Sequence, residues 1–269
     1  MDARQAQTRL STFRSHDVAP QVFDLPEDPF APSGREDGRI RVLGHRGAPG
    51  PGRPENSVAA VAEALLQGAD GVEVDVWLTE DGTLVCSHDL PAAGDHGFLD
   101  TLPELLPAAQ HPAGAQVVVE AKPVSDPAVA ARTAAVLADV LRTSAGSAAI
   151  TVSSFDPELL AMIRAACADL PVRTALLGGK SQAAADVVHR AHQDGHDEVH
   201  LPLIALRRAP EAAETARLLG LSVALWTVNG RSDLQWVAEL GVDAVITDDI
   251  LTAWSELDRA TAVREMVAA

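Results

Sequence analysis

Short apolar runs alternate with longer segments of helical period from residue 39 onward. The runs are rich in valine and isoleucine, as buried strands are, and the segments between them repeat alanine and leucine at helical spacing. The predicted strands are residues 40–43, 71–76, 116–120, 149–153, 172–176, 198–201, 222–226 and 244–246. The predicted helices lie near residues 56–67, 101–108, 127–143, 157–168, 181–193, 210–219, 232–240 and 250–265. Eight strand–helix repeats predict an α/β protein with a (β/α)₈ TIM barrel, and a doubly wound open sheet is the competing architecture.

The first 38 residues follow a different pattern. They are polar, carry charges of both signs and are interrupted by Pro20, Pro26, Pro29, Pro32 and Gly34. No apolar period is sustained among them, so we expect a short irregular N-terminal extension at residues 1–38. The barrel domain is then expected to occupy residues 39–269.

The charge balance narrows the range of partners. The chain has 269 residues, of which 38 are acidic and 21 basic, and its net charge is −17. This charge, with only 3% aromatic residues, argues against nucleic acid or an anionic bilayer as a partner. No stretch is long and apolar enough for a membrane span, and residues 1–7 lack the apolar core of a signal peptide. We therefore expect a cytoplasmic protein without integral membrane association that acts on a small molecule, in an oligomeric state the sequence leaves open.

Candidate chemistry is concentrated around the second predicted strand. Glu73 and Asp75 are two positions apart in an alternating run, so both carboxylates point to one face of the strand. Two buried acids on one face repel each other unless a cation lies between them. His45 and His88 flank this strand, and imidazole can give or take a proton near neutral pH. The barrel would gather the strand ends that bear these residues, with Glu120 and Trp226, at one rim.

The ordered set of motifs resembles the glycerophosphodiester phosphodiesterase family. The matching segments are residues 44–47 (GHRG), 54–57 (PENS), 68–75 (GADGVEVD), 81–82 (DG), 88–89 (HD), 119–122 (VEAK), 153–155 (SSF), 225–229 (LWTVN) and 241–248 (GVDAVITD). The resemblance implies a metal-dependent barrel that hydrolyses small phosphodiesters. It further implies that His45 and His88 form the acid–base pair and that Arg46 binds the phosphoryl oxygens.

The resemblance also implies a metal site and a substrate site. Glu73, Asp75 and Glu120 would hold one divalent cation, Mg²⁺ or Ca²⁺, since hard ions prefer oxygen ligands. Lys122 would add positive charge near the phosphate. Glu55 would orient His45 or Arg46 or approach the metal, and Trp226 would either wall the substrate or pack in the barrel.

The segment after His88 departs from the family pattern, so the sequence does not identify the alcohol that the reaction would release. Only 31 positions separate Asp89 from Glu120, whereas the family often has a longer insertion that covers the pocket. The N-terminal extension could supply that cover. Two alternatives stay open: a phospholipase D-like or sphingomyelinase D-like enzyme acting on lysolipids, and a non-catalytic barrel that binds phosphodiesters.

Two other polar groups receive structural interpretations. The histidines at positions 189, 192, 196 and 200 are expected at a solvated helix end, because Asp194 and Gly195 would break the helix between them. The pair Asp248 and Asp249 is expected to cap the last helix.

Overall fold

The computed structural model describes residues 39–92, 96–110 and 114–268. The predicted extension at residues 1–38 therefore lies outside the described residues, and so does the cover that we expected it to give the pocket. Within the described part of the chain, no helix is long and apolar enough to cross a membrane.

Eight parallel strands form a closed barrel. They are β1 Arg41–His45, β2 Gly71–Leu78, β4 Gln116–Ala121, β5 Ala149–Ser154, β6 Val172–Leu177, β7 Glu198–Pro202, β8 Ser222–Trp226 and β9 Ala244–Thr247. Closure is direct, because β1 pairs in parallel with both β2 and β9. A short strand, β3 Leu84–Cys86, runs antiparallel to the end of β2. The predicted (β/α)₈ barrel is thus confirmed, and the open-sheet alternative is wrong.

Helices follow the parallel strands and cover the outside of the barrel. They are α1 Val58–Leu66, α2 Leu102–Leu105, α3 Pro127–Ser144, α4 Pro157–Ala166, α5 Ala184–Gln193, α6 Leu203–Arg208, α7 Glu211–Leu218, α8 Arg231–Ala238 and α9 Ile250–Ala268. Local signals set several starts: Asp126 and Asp156 accept hydrogen bonds from the first turns of α3 and α4, each of which has proline at its first position. The prediction did not include β3 or α6, which are too short to show a period.

Apolar side chains lie on both faces of the barrel wall. The outward-facing residues of β2, Val72, Val74 and Val76, belong to the large core between strands and helices. A smaller cluster inside the barrel contains Leu43, Val118, Ala224, Ala244 and Ile246. Because side chains alternate along a strand, the residues between the outward valines of β2 point into the barrel. This alternation directs the acids of β2 to the interior.

The histidine prediction is wrong for two of the four residues. His189 and His192 are exposed, but His196 and His200 are buried. His196 hydrogen-bonds Thr174, and His200 lies in strand β7, which matches the predicted strand 198–201 and not a solvated helix end. The turn at Gly195 separates α5 from β7, so the last of these histidines belongs to the barrel wall.

Candidate active site

A pocket of about 380 Å³ lies at the carboxyl ends of the barrel strands. Its lining contains the predicted site residues His45, Arg46, Glu73, Asp75, His88, Glu120, Lys122 and Trp226. These residues come from strands β1, β2, β4 and β8 or from the loops that follow β1, β3 and β4. In barrels of this type the carboxyl ends of the strands carry the functional groups.

Asp75 is the most tightly held acid of the pocket. Its carboxylate lies 2.6 Å from Lys122 Nζ and 3.3 Å from Arg46 Nε. Asn56 fixes both its side chain and its backbone, because Asn56 Nδ2 donates to Asp75 Oδ2 (2.9 Å) and Asp75 N donates to Asn56 Oδ1 (2.9 Å). Burial raises the pKa of Asp75, but Lys122, Asn56 and Arg46 outweigh burial and lower the pKa below its usual value.

Glu73 and Glu120 lie beside Asp75, but neighbouring cations and hydrogen-bond donors neutralise their negative charges less fully. One ligand atom of each of the three carboxylates lies within 4.8 Å of those of the other two. Burial raises the pKa of Glu73 well above its usual value, and the charges of Asp75 and Glu120 raise it further. The pKa of Glu120 is raised for the same reasons, although Lys122 lies 2.7 Å away. The cluster carries more negative charge than its lysine neutralises, and its all-oxygen donor set fits a hard divalent cation.

The loop after β1 places Arg46 against this cluster. Arg46 has a positive φ of 56°, and its backbone N–H donates to Glu73 Oε2 at 3.2 Å. Its side chain reaches Asp75, and its Nη1 donates to both carboxylate oxygens of Glu55 at 3.0 Å. Of the three placements considered for Glu55, the structure shows the one beside Arg46, outside the pocket lining. Gly47 follows with φ 81°, and a Cβ there would lie 2.6 Å from the backbone of Ala60.

His45 is held by a chain of hydrogen bonds from the opposite end of the sequence. Its Nδ1 lies 2.7 Å from Asp248 Oδ1, and Asn229 Nδ2 donates to Asp248 Oδ2 at 2.6 Å. The His45 hydrogen bond lowers the pKa of Asp248, so the aspartate is ionised and accepts the hydrogen from Nδ1. The other ring nitrogen, Nε2, is the one that is directed away from Asp248. The expectation that both acids cap the last helix is therefore wrong for Asp248, while Asp249 does accept from Thr252 N.

His88 shows the same arrangement in a more open setting. Its Nδ1 lies 2.9 Å from Asp89 Oδ1, and its backbone carbonyl accepts from Trp77 Nε1. The side chain of His88 is 43% exposed, against 21% for His45. Each histidine thus has a carboxylate on Nδ1, which orients the ring and fixes its tautomer.

Aromatic side chains and a lysine form one wall near the opening of the pocket. Trp226 packs edge-on against Phe155 with ring centroids 5.8 Å apart. Lys180 Nζ lies 6.0 Å from the centre of the Trp226 ring. Trp226 thus faces the pocket as well as the barrel interior. Phe155 is 37% exposed at this wall.

Sequence reasoning missed the residues that hold the others in place. Asn56, Asp89, Asn229 and Asp248 lie within the motifs but had received no part in the site, and Ser153, Lys180 and His200 also line the pocket. The signal that would have found Asp248 is its position directly after the last strand, where the barrel gathers functional groups. His200 lies within the predicted strand 198–201, but it was interpreted with the neighbouring histidines as part of a solvated helix end.

Closed barrels with an acidic centre at the carboxyl ends of the strands include many metal-dependent enzymes, and comparison with known proteins narrows the class. The model of the glycerophosphoryl diester phosphodiesterase family matches residues 45–103 and 99–252. The chain belongs to that family.

Individual relatives agree over parts of the chain. A probable glycerophosphodiester phosphodiesterase 1 of Mycobacterium tuberculosis is 60% identical over 48 residues, which are 18% of this chain and 17% of that protein. A mouse lysophospholipase D is 40% identical over 70 residues, 26% of this chain and 19% of that protein. The chain thus aligns with less than a fifth of the length of these relatives. An Oleispira antarctica phosphodiesterase, solved with its product sn-glycerol 3-phosphate, shares the fold (TM-score 0.70, 22% identity, 83% of this chain and 98% of that one).

Proposed function

We propose that the protein hydrolyses glycerophosphodiesters to sn-glycerol 3-phosphate and an alcohol, with one divalent cation and two histidines. The observation that carries the proposal is the composition of one pocket. Three buried carboxylates, two cationic side chains and two carboxylate-oriented histidines line it together. A phosphodiester is an anion that repels nucleophiles. The carboxylates would bind a cation, the cationic side chains would neutralise the phosphoryl oxygens, and the histidines would transfer protons.

The carboxylates of Glu73, Asp75 and Glu120 would hold the cation, Mg²⁺ or Ca²⁺. A cation there would polarise the phosphoryl group and acidify the attacking hydroxyl. Support comes from the geometry, because one ligand atom of each carboxylate lies within 4.8 Å of those of the other two. Burial and the neighbouring acids raise the pKa of Glu73 and Glu120, as expected for carboxylates crowded at one place. Asn56 would keep Asp75 in position as a ligand.

The cationic side chains would bind the phosphoryl oxygens. Arg46 presents a planar guanidinium, which suits two oxygens of one phosphoryl group, and Glu55 holds it from the solvent side. Lys122 is buried between Asp75 and Glu120 and would offset their charge when the anion enters. These contacts would orient the phosphodiester so that the nucleophile attacks phosphorus from the side opposite the leaving alkoxide.

The two histidines would move the protons. One of His45 and His88 takes the proton of the attacking hydroxyl, and the other gives a proton to the departing alkoxide. Asp248 and Asp89 leave each ring with Nε2 directed away from its carboxylate partner, as this exchange requires. Attack by the 2-hydroxyl of glycerol would give a cyclic phosphate that water opens, whereas attack by water would give the products directly.

A lysophospholipase D activity is the second candidate. The mouse relative that carries this name supports it, as does the wall of Phe155 and Trp226 at the opening, which could contact an apolar chain. The net charge of −17 would oppose approach to an anionic lipid surface.

One assay with separated products tests both candidates. The full chain is incubated with glycerophosphocholine, glycerophosphoethanolamine or lysophosphatidylcholine in Mg²⁺, in Ca²⁺ or in excess chelator. We expect sn-glycerol 3-phosphate from the first two substrates, loss of turnover with chelator, and recovery when the cation is restored. Release of lysophosphatidate from the third substrate alone would favour the second candidate.

Variants separate catalysis from binding in the same assay. His45→Ala and His88→Ala should each lower kcat about 10²- to 10⁴-fold, the range that general acid–base catalysis supplies. Turnover that survives both chelation and His45→Ala would contradict the proposal, and no turnover of any substrate would favour a non-catalytic barrel.

A further inference from the structure

His200 lies at the enclosed end of the pocket and is not used by the proposed mechanism. It is fully buried in β7, and its Nε2 lies 3.0 Å from Glu198 Oε2. Burial raises the pKa of Glu198, but the hydrogen bond from His200, the charge of His200 and the charge of Arg173 outweigh burial and lower the pKa to about 2. An ionised carboxylate only accepts hydrogen bonds, so Nε2 carries the hydrogen of this pair, and Nδ1 is the ring nitrogen without a partner among the described residues.

Other polar side chains inside the barrel hold the carboxylate of Glu198 in place, and this carboxylate in turn orients His200. Thr151 Oγ1 donates to Glu198 Oε1 at 3.1 Å, and Arg173 Nε lies 3.3 Å from the same oxygen. All these side chains are inside the barrel, toward its amino-terminal end from His200. A buried imidazole that a hydrogen-bond network holds in place, with one ring nitrogen unpaired, is suited to form a hydrogen bond with a hydroxyl of a ligand.

Ser153 offers a second polar atom in the same pocket. It is 1% exposed, and its neighbour in register on β4 is Glu120, so it lies beside the carboxylate cluster. Among the residues that the structure describes, neither Ser153 Oγ nor His200 Nδ1 has a hydrogen-bond partner. Buried polar atoms are normally paired, because leaving them unpaired loses the hydrogen bonds they had with water.

The two ends of the pocket differ in exposure. Ser153 and His200 are buried, whereas Phe155 is 37% exposed and Lys180 is exposed at the opening. A phosphodiester held at the carboxylate cluster would therefore extend one ester group toward the buried end of the pocket and the other toward solvent.

We propose that His200 and Ser153 form a hydroxyl-binding subsite that receives the glycerol end of the substrate, while the variable alcohol lies toward Phe155 and Lys180. The proposal rests on the proposed function and adds to it the direction in which the substrate is bound. Glycerol hydroxyls would form hydrogen bonds with His200 Nδ1 and with Ser153 Oγ. The two unpaired atoms then select a polyol over an alkyl group of the same size.

A neutral hydroxyl fits this place better than a charged group. An anion would meet the carboxylate of Glu198 directly behind His200, in addition to the carboxylates of the metal cluster. An ammonium would lose its water at a fully buried position and find too few acceptors for its three hydrogens. A hydroxyl donates and accepts without net charge, and both partners are complementary to it.

Ligand binding tests the subsite without relying on turnover. Calorimetry on the full chain in Mg²⁺ gives Kd for sn-glycerol 3-phosphate and for propyl phosphate, which shares the phosphate but lacks the hydroxyls. The preference is the ratio of the two Kd values. We expect Ser153→Ala and His200→Leu each to reduce the preference at least fivefold, as loss of a buried hydrogen bond would.

Ser154→Ala is the matched control. Ser154 is the next residue of β5 and is equally buried, but its Oγ donates to Ala121 O, away from the pocket. We expect the preference of the Ser154→Ala variant for sn-glycerol 3-phosphate over propyl phosphate to stay within twofold of that of the unsubstituted chain. Thermal unfolding of each variant checks its fold, and Ser153→Ala removes a single oxygen if His200→Leu is poorly folded.

The outcomes separate the subsite from the proposed function. An unchanged preference in Ser153→Ala and His200→Leu overturns the subsite, even if glycerophosphocholine is hydrolysed, and would mean that only water pairs with these atoms. If the variants lose the preference for sn-glycerol 3-phosphate over propyl phosphate, the subsite is supported. If, in addition, no diester is hydrolysed, the proposed function fails but the subsite does not.

Discussion

Asp248 shows how much of the site depends on a residue that does not face the pocket. It holds His45 through Nδ1 and is held in turn by Asn229. Asp248→Asn keeps the size of the side chain but removes the charge and permits the wrong tautomer of His45. We expect kcat to fall about 10- to 100-fold with KM changed less than threefold. Steady-state kinetics with glycerophosphocholine measure both constants.

Asp249→Asn is the control for that substitution. Asp249 accepts from Thr252 N at the start of α9, and asparagine is an equally good residue at a helix N-terminus. Both kinetic constants should therefore stay close to those of the unsubstituted protein. An equal loss of kcat in the two variants would show that the negative charge of this loop matters, and not the orientation of His45.

At the scale of elements, the loop from β1 to α1 is the connection that the site depends on most. Gly47 has φ 81°, and a Cβ would meet the backbone of Ala60 at 2.6 Å, whereas Gly52 has φ 72° with open space around it. Gly52→Ala should cost about 1 kcal/mol, for the left-handed backbone alone. Gly47→Ala should cost about 3 kcal/mol, because it adds overpacking against α1. Urea unfolding measures both, and equal costs would contradict the packing argument.

The sequence predicted the elements that have a clear period and the residues at their carboxyl ends. All eight parallel strands were found because buried valine-rich runs are unmistakable, and the rule for barrel rims then placed Glu73, Asp75 and Glu120 together. The three-residue β3 and the six-residue α6 are too short for any period. Asp248 and His200 were misassigned because their polar character suggested a surface, whereas partners distant in the sequence pair with them in the barrel.

At the scale of the whole molecule, the ion pairs inside the barrel give stability that depends on pH. Glu198 has a pKa of about 2 in the folded protein, against an ordinary value of 4.5. Because the folded state favours the carboxylate, this contribution is complete above pH 4.5 and is lost as the pH falls toward 2. The difference corresponds to about 3 kcal/mol. Glu198→Gln should therefore be less stable by about that amount at pH 7 and should lose less stability between pH 4.5 and 2.

An exposed acid gives the comparison for the pH experiment. Asp169 also has a lowered pKa, through hydrogen bonds from Arg142, but its side chain is 65% exposed. Solvent screens such a pair, so Asp169→Asn should leave the stability profile almost unchanged. Chemical unfolding at a series of pH values compares the two variants. A profile for Glu198→Gln parallel to that of the unsubstituted protein would show that Glu198 is not ionised inside the barrel.

Closure of the barrel by β1 and β9 has a consequence for the order in which the protein matures. His45 and Asp248 are 203 positions apart, and they meet only because the last strand pairs with the first. The residues of β2 and β4 precede β9 in the chain, so they are synthesised before the aspartate that orients His45. A chain that stopped before β9 would lack this hydrogen bond, and we expect it to lose the orientation of His45 together with the closure of the barrel.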